Sequence, residues 1–334
     1  MRFTAIVVCF LAGGVLPAMA EPACPGNPDA IGTSRTIIVD PAALPRIGSM
    51  QYKTTLPLED HEVVITFDDG PLPPYTNRIL DTLAANCVKV TYFLVGQMAH
   101  AYPDLVRRIY NAGHVIGTHS QNHPLAFNQM GEPRIEREVN GGIASVQAAV
   151  GDPRAVAPFF RIPGLARGKR VEAYLASKSL AVWSADEVAD DWHRGIKAAD
   201  IVRLAIRRIE AKGHRGVLLL HDIHPATARA LPALLKELKN RGYHIVQAVP
   251  AGERPKSVPE RPATVVAAQD GKPRLIKASA SGAAPVIKAV HHYRHHRHKR
   301  IARTRRDPLV TAIAKMKHKT HTAATAQDWL PLWH

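Results

Sequence analysis

Val63-Val64-Ile65-Thr66-Phe67-Asp68-Asp69-Gly70-Pro71 decides the fold of this 334-residue chain. Its first five residues are β-branched or aromatic, the composition of a strand buried on both faces. The run stops at two adjacent carboxylates followed by Gly-Pro, residues suited to a turn. Working outward, a helical spacing follows at Ile79, Leu80 and Leu83, and the alternation then repeats. Further strands are predicted at 90–95, 114–117, 158–161, 181–183, 216–220 and 244–246. Between them lie helical patterns at Leu105, Val106 and Ile109, at 135–150, at Ile201, Leu204, Ala205 and Ile209, and at Leu231, Leu234, Leu235 and Leu238. Such alternation predicts a parallel sheet with helices outside, an α/β protein. Seven strands in about 190 residues favour a closed or nearly closed barrel, although pattern alone also fits an open doubly wound sheet.

The flanks read differently. Arg2, an apolar run over 4–16 and Ala18-Met19-Ala20 have the form of a cleaved secretory signal over residues 1–20. The run is shorter than the ~20 residues that span a bilayer. The expectation is a secreted or periplasmic protein with no transmembrane segment after cleavage. Residues 21–60, rich in Pro, Thr and small side chains, read as an N-terminal arm lying on a catalytic domain at 61–250. Cys24 and Cys87 remain after cleavage and can pair in an oxidising compartment, but sequence does not supply the geometry of a disulfide.

A composition of 46% hydrophobic and 22% charged residues excludes a wholly disordered chain. The net charge of +16 is concentrated in 251–334, where 17 Lys and Arg face 5 Asp and Glu. That segment includes the run from His291 to Arg300 and is expected to be a disordered tail. It suits anionic envelope polymers, export argues against nucleic acid, and a solvated tail without a partner fits equally well.

Polar residues at strand ends carry the chemistry, because barrel active sites gather at the carboxyl ends of the strands. Asp68 and Asp69 repel one another unless a cation lies beside them. His119 and His123, four apart and read as one helical turn, can share a metal. Ser120 stands where a zincin motif has its glutamate, so a base must come from elsewhere. Two imidazoles and Asp69 make a three-ligand site with open positions. His221, at the end of 216–220 and beside Asp222, suits a general acid.

The ordered series T-F-D-D-G-P, Y-F-L-V-G, G-H-V-I-G-T-H-S-Q-N-H-P, F-R-I-P-G, W-S-A-D and L-L-L-H-D resembles the NodB-like polysaccharide deacetylases, carbohydrate esterase family four, over 61–250. The resemblance implies an irregular (β/α) barrel of about seven strands and metal-dependent removal of acetyl groups from N-acetylglucosamine units of a polysaccharide. It casts Asp68 as general base, Asp69, His119 and His123 as metal ligands, Arg161 as the holder of the base, and His221 as general acid. Leu219 would line the acetyl pocket, and Asp186 would orient His221. The implied metal is divalent, zinc first, with cobalt or nickel compatible with the same ligands.

Two departures stand out. The family's R-x-P-Y is Arg161-Ile162-Pro163-Gly164 here, which keeps a backbone N–H for the oxyanion at Gly164 but loses an aromatic wall. The family's D-x-x-D-W leaves the roles of Asp190, Asp191 and Trp192 open, with Trp192 a substrate-contact candidate. An O-acetyl esterase of xylan-type glycans and a non-catalytic glycan-binding protein are the competing readings. A two-His-one-carboxylate iron oxygenase fits the ligand types but not the strand–helix alternation.

Overall fold

A computed structural model describes residues 24–258 and two further strands at Thr264–Gln269 and Lys272–Lys277. In the larger unit ten strands run parallel: β1 (Thr33–Val39), β2 (Arg46–Ile47), β3 (Glu62–Asp68), β4 (Thr91–Leu94), β5 (Val115–Thr118), β6 (Val156–Arg161), β7 (Ala181–Trp183), β8 (Glu187–Val188), β9 (Gly216–His221) and β10 (His244–Pro250). Seven helices surround them: α1 (Tyr75–Ala85), α2 (Gly96–Ala101), α3 (Pro103–Asn111), α4 (Glu132–Val150), α5 (Lys169–Ser177), α6 (Ala198–Ala211) and α7 (Pro225–Asn240). All seven expected strands are present.

The strand order runs β2-β7-β6-β5-β4-β3, and β9 then pairs with the other side of β3. After β7 the chain crosses in three residues to β8, which pairs with β9 through Glu187 against Leu218 and Val188 against Leu219. The chain itself therefore bridges the gap between β7 and β9, which makes the barrel irregular. Period-two alternation divides the core. Val64, Phe93, Val115, Phe159, Trp183 and Val217 fill the interior, while Ile65, Phe67, Tyr92, Ile116 and Leu218 pack outward on the helices. Each fully buried aliphatic or aromatic side chain contributes roughly 1.5–3 kcal/mol.

Both domain boundaries differ from the sequence expectation. The described part of the N-terminal arm, from Cys24, does not simply lie on the barrel: β1 pairs with β10 and β2 with β7. Cys24 and Cys87 are disulfide-bonded. At the other end, Ala251–Val258 belongs to the packed unit. Val258 is buried, Asn111 exchanges hydrogen bonds with its backbone, and Arg254 donates to the Ala155 carbonyl. Within 251–334, Thr264–Gln269 and Lys272–Lys277 form an antiparallel hairpin. The signal segment and the His/Arg run lie outside the described residues. No helix among the described residues is long and apolar enough to cross a membrane.

Candidate active site

Asp68 is the last residue of β3 and shares the interior side of the barrel with Val64 and Thr66. Its Oδ1 accepts from Arg161 Nη1 at 2.6 Å, and both side chains are buried. Arg161, at the end of β6, also donates to Thr66 Oγ1 at 2.8 Å and to the Ser184 carbonyl at 2.8 Å, and it lies over the Phe93 ring. The buried guanidinium is thereby fixed on three sides and offsets the negative charge of Asp68.

Asp69 leaves the strand with φ 78°. Its Oδ1 lies 3.4 Å from His119 Nε2 and 3.2 Å from His123 Nε2. His119 and His123 are not on a helical turn. Residues 119–123 form a loop, and Ser120 (φ 65°) and His123 (φ 54°) in left-handed conformations bring the two rings together. Ser120 Oγ accepts from the His123 N–H, while Glu138 holds Asn122 through two 2.9 Å hydrogen bonds. Gly142 on α4 permits this loop to pack, since a Cβ there would meet the Ser120 backbone at 2.6 Å.

His119 Nδ1 lies 2.6 Å from the Arg161 carbonyl. Nδ1 therefore carries the proton, and Nε2 turns its lone pair toward Asp69. Asp69 Oδ1 is buried without a hydrogen-bond partner, so its short contacts to the two rings are convergences rather than hydrogen bonds. One atom from each of Asp69, His119 and His123 falls within 4.8 Å of the others. A buried acceptor with no donor, facing two imidazole nitrogens, is a donor set that fits a divalent cation. Burial opposes ionisation of Asp69, but its carboxyl is held well below the usual range, the charged His221 ring being among the causes. Burial pushes His123 down, which favours the neutral form that ligates.

His221 ends β9 level with Asp68 of β3. Its Nδ1 lies 2.8 Å from Asp191 Oδ1, and its backbone N–H donates to Asp191 Oδ2 at 2.7 Å, the oxygen that also accepts from Thr227. Burial resists a charge on this ring, yet Asp191, with Asp69 and Asp68 behind it, pushes the His221 pKa up to about 9. The expectation for Asp186 is thus corrected. Asp186 accepts from the Ser49 and Val217 N–H groups and from Thr55, which fastens the arm to the start of β9. The residue beside His221 is Asp191. Asp190, next to it, is gripped by both Arg208 nitrogens at 2.7 Å. Anchoring the D-x-x-D-W comparison on Asp191-Trp192 would have found the pair.

Trp192 stands edge-on to His221, with ring centroids 5.5 Å apart. Leu219 is buried two residues below His221 in β9, paired with Thr66. Gly164 lies in the turn after β6 with φ 56°. Sequence reasoning took Asp222 as the carboxylate beside His221, but the imidazole meets Asp191 instead. Asp222 is buried beneath the Asp69-Gly70 turn with Oδ2 2.5 Å from Thr76 Oγ1, and burial raises its pKa to about 7. Gly70 is required there, since a Cβ would fall 2.1 Å from the Asp222 carboxylate.

A distorted parallel barrel with an Asp-His-His cluster at its carboxyl end has the donor set of a metal-assisted hydrolase, and sequence comparison identifies the family: residues 56–183 match the polysaccharide deacetylase family. The chain belongs to that family. It is 32% identical over 205 residues to the chitooligosaccharide deacetylase of Sinorhizobium fredii, covering 56% of this chain and 90% of that one. It is 33% identical over 183 residues to a peptidoglycan-N-acetylglucosamine deacetylase of Bacillus cereus, covering 54% of this chain and 66% of the relative. Among solved structures, the Bdellovibrio bacteriovorus peptidoglycan deacetylase Bd3279 superposes with a TM-score of 0.58 at 31% identity, covering 65% of this chain and 59% of that one. The chain thus spans about two thirds or less of the last two.

Proposed function

We propose that this protein is a metal-dependent N-deacetylase of N-acetylglucosamine units in an envelope or extracellular glycan. The observation that carries the reading is the placement of Asp68 and His221 beside the Asp69, His119 and His123 cluster, each with its own buried counter-charge. The names of the relatives, which specify peptidoglycan and chitooligosaccharide deacetylases, supply the substrate class.

Amide hydrolysis needs a water stripped of a proton, stabilisation of the developing oxyanion and a proton for the departing amine. A divalent ion held by Asp69, His119 and His123, zinc by its ligand types, would polarise the acetyl carbonyl and acidify a water. Asp68 accepts a proton from the water that attacks the acetyl carbon, while Arg161 keeps the carboxylate aimed. Asp68 Oδ2 lies 3.7 Å from His119 Nε2, so the base borders the cluster. The Gly164 N–H donates to the oxyanion, an interaction of a kind worth ~3–4 kcal/mol in the transition state. Leu219 lines the space for the acetyl methyl. His221, protonated on account of Asp191, delivers its Nε2 proton to the amine as the C–N bond breaks. Base and acid sit in opposite electrostatic surroundings, so both are in the required state at one pH.

The signal-like start and the wall polymers named for the relatives support a secreted or periplasmic location, and the basic segment after 258 suits attachment to anionic envelope polymers. The test is acetate release from chitooligosaccharides, peptidoglycan and acetylxylan, with and without chelator. Release of acetate with appearance of a free amine, lost on chelation, is expected. Acetate from acetylxylan alone would make the protein an esterase, and no acetate from any of them would end the enzymatic reading.

A further inference from the structure

The turn that carries the Gly164 N–H is held by more than the barrel. Gly164 (φ 56°) and Leu165 (φ 52°) are successive residues in the left-handed region. Glycine enters that region freely, but leucine is disfavoured there and stays only where its surroundings impose it. Those surroundings come from the N-terminal arm, 114 residues earlier in the chain, where Gln51 Nε2 donates to the Leu165 carbonyl at 2.6 Å. In return the Gln51 carbonyl accepts from Arg167 Nη1 at 2.5 Å, and the Arg167 guanidinium lies over the Tyr52 ring. Glu172 completes the clamp, accepting from Arg167 Nε at 2.7 Å and from the Tyr52 hydroxyl at 3.2 Å.

Gln51 is itself anchored. The Gly48 carbonyl accepts from the Gln51 and Tyr52 N–H groups, and the Met50 N–H donates to the Ala185 carbonyl. On either side, the Ser49 N–H and the Thr55 hydroxyl are bound to the Asp186 carboxylate. A fixed side chain therefore grips a strained turn from outside. We propose that Gln51 is a positioning residue for deacetylation: by holding the Leu165 carbonyl it sets the direction of the neighbouring Gly164 N–H, so that the arm completes the oxyanion site. The inference rests on the deacetylase reading and deepens it. Without the clamp Leu165 gains by returning to negative φ, and the peptide planes of the turn, that of Gly164 included, rotate with it. A donor aimed away from the developing oxyanion weakens the transition state while leaving the bound sugar nearly untouched.

The test separates turnover from binding. Wild type, Q51L, Q51E and Q51K are compared on chitotetraose for kcat and KM, with metal content, Tm and amide hydrogen exchange recorded for each. Q51L removes the donor at similar volume, Q51E sets an acceptor against the carbonyl, and Q51K restores a donor of similar reach. In Q51L and Q51E kcat is expected to fall roughly 10-fold, the scale of one neutral hydrogen bond, with KM changed less than about twofold and metal content unchanged. The Ala166 and Arg167 amides, bonded to the Pro163 and Leu165 carbonyls within the turn, should exchange faster in both variants. Q51K should recover part of kcat and of the protection. A lower Tm with wild-type kcat would make Gln51 a purely structural contact and overturn the inference; so would a raised KM with kcat unchanged. If Q51L does not fold, the Q51E and Q51K pair gives the same decision. Wild-type protein that releases no acetate sinks the deacetylase reading, and exchange then decides the clamp alone: equal rates in wild type and Q51L overturn it.

Discussion

Replacing Asp191 by Asn isolates the electrostatics of the proposed acid. Asp191 accepts three hydrogen bonds, from the His221 N–H, His221 Nδ1 and Thr227. Asn can keep its oxygen on the first and third and turn its amide toward His221 Nδ1. That arrangement preserves shape but leaves the imidazole neutral. In the native protein the His221 pKa is raised from 6.5 to about 9. At ~1.4 kcal/mol per pH unit this is worth ~3 kcal/mol of stability. A group held protonated by folding gives that stability in full below 6.5 and loses it as pH rises through about 9. D191N should therefore be ~3 kcal/mol less stable at pH 6, a fall in Tm of about 6–12 °C for a domain of this size, and the gap should shrink by pH 10. Urea unfolding of both proteins in chelator at the two pH values measures this directly, and NMR titration of the His221 ring gives the midpoint. A wild-type midpoint near 6.5, or a stability gap unchanged between pH 6 and 10, would refute the argument. Deacetylation by D191N should fall ~100-fold or more, the scale of a lost general acid.

D68N should retain metal, read by elemental analysis, while kcat drops ~100- to 10,000-fold; H119A and H123A should instead lose the metal together with turnover. Opening the Cys24–Cys87 bond by C24S/C87S frees a separation of 63 residues and should cost roughly 4 kcal/mol of unfolding free energy, visible as a lower urea midpoint under oxidising conditions and abolished as a difference by reductant. G70A should force the Asp222 carboxylate to move, because the added Cβ would lie 2.1 Å from it. A loss of several °C in Tm together with reduced metal occupancy is expected, and an unaltered melting curve would show that Asp222 yields freely.

Asp68, Asp69, His119, His123 and His221 stood out in the sequence as candidates because each closes a strand, or follows its end, with a residue type that the chemistry restricts, whereas Arg161 was marked only by the family resemblance. A buried apolar run that ends in a charge has little reason to do so unless the charge is used. The acid's partner was not legible, and the reason lies in register. β8 climbs alongside β9, with Glu187 level with Leu218 and Val188 with Leu219. Asp186, one step below, is level with Val217, whose N–H it binds. Asp191 lies three residues beyond Val188 and reaches the height of His221, two beyond Leu219. Val217 and His221 are four residues of β9 apart, ~13 Å, so choosing the wrong aspartate moves a carboxylate from the top of the barrel to its lower half. The same limit concealed β1: its residues 33–39 pair with 245–250, a partnership that local periodicity does not encode. Within one strand, a side chain's face follows from the alternation of the sequence. Its height against a neighbouring strand follows only from pairing, and the site depends on height, since an imidazole and a carboxylate one strand-step apart no longer share a proton.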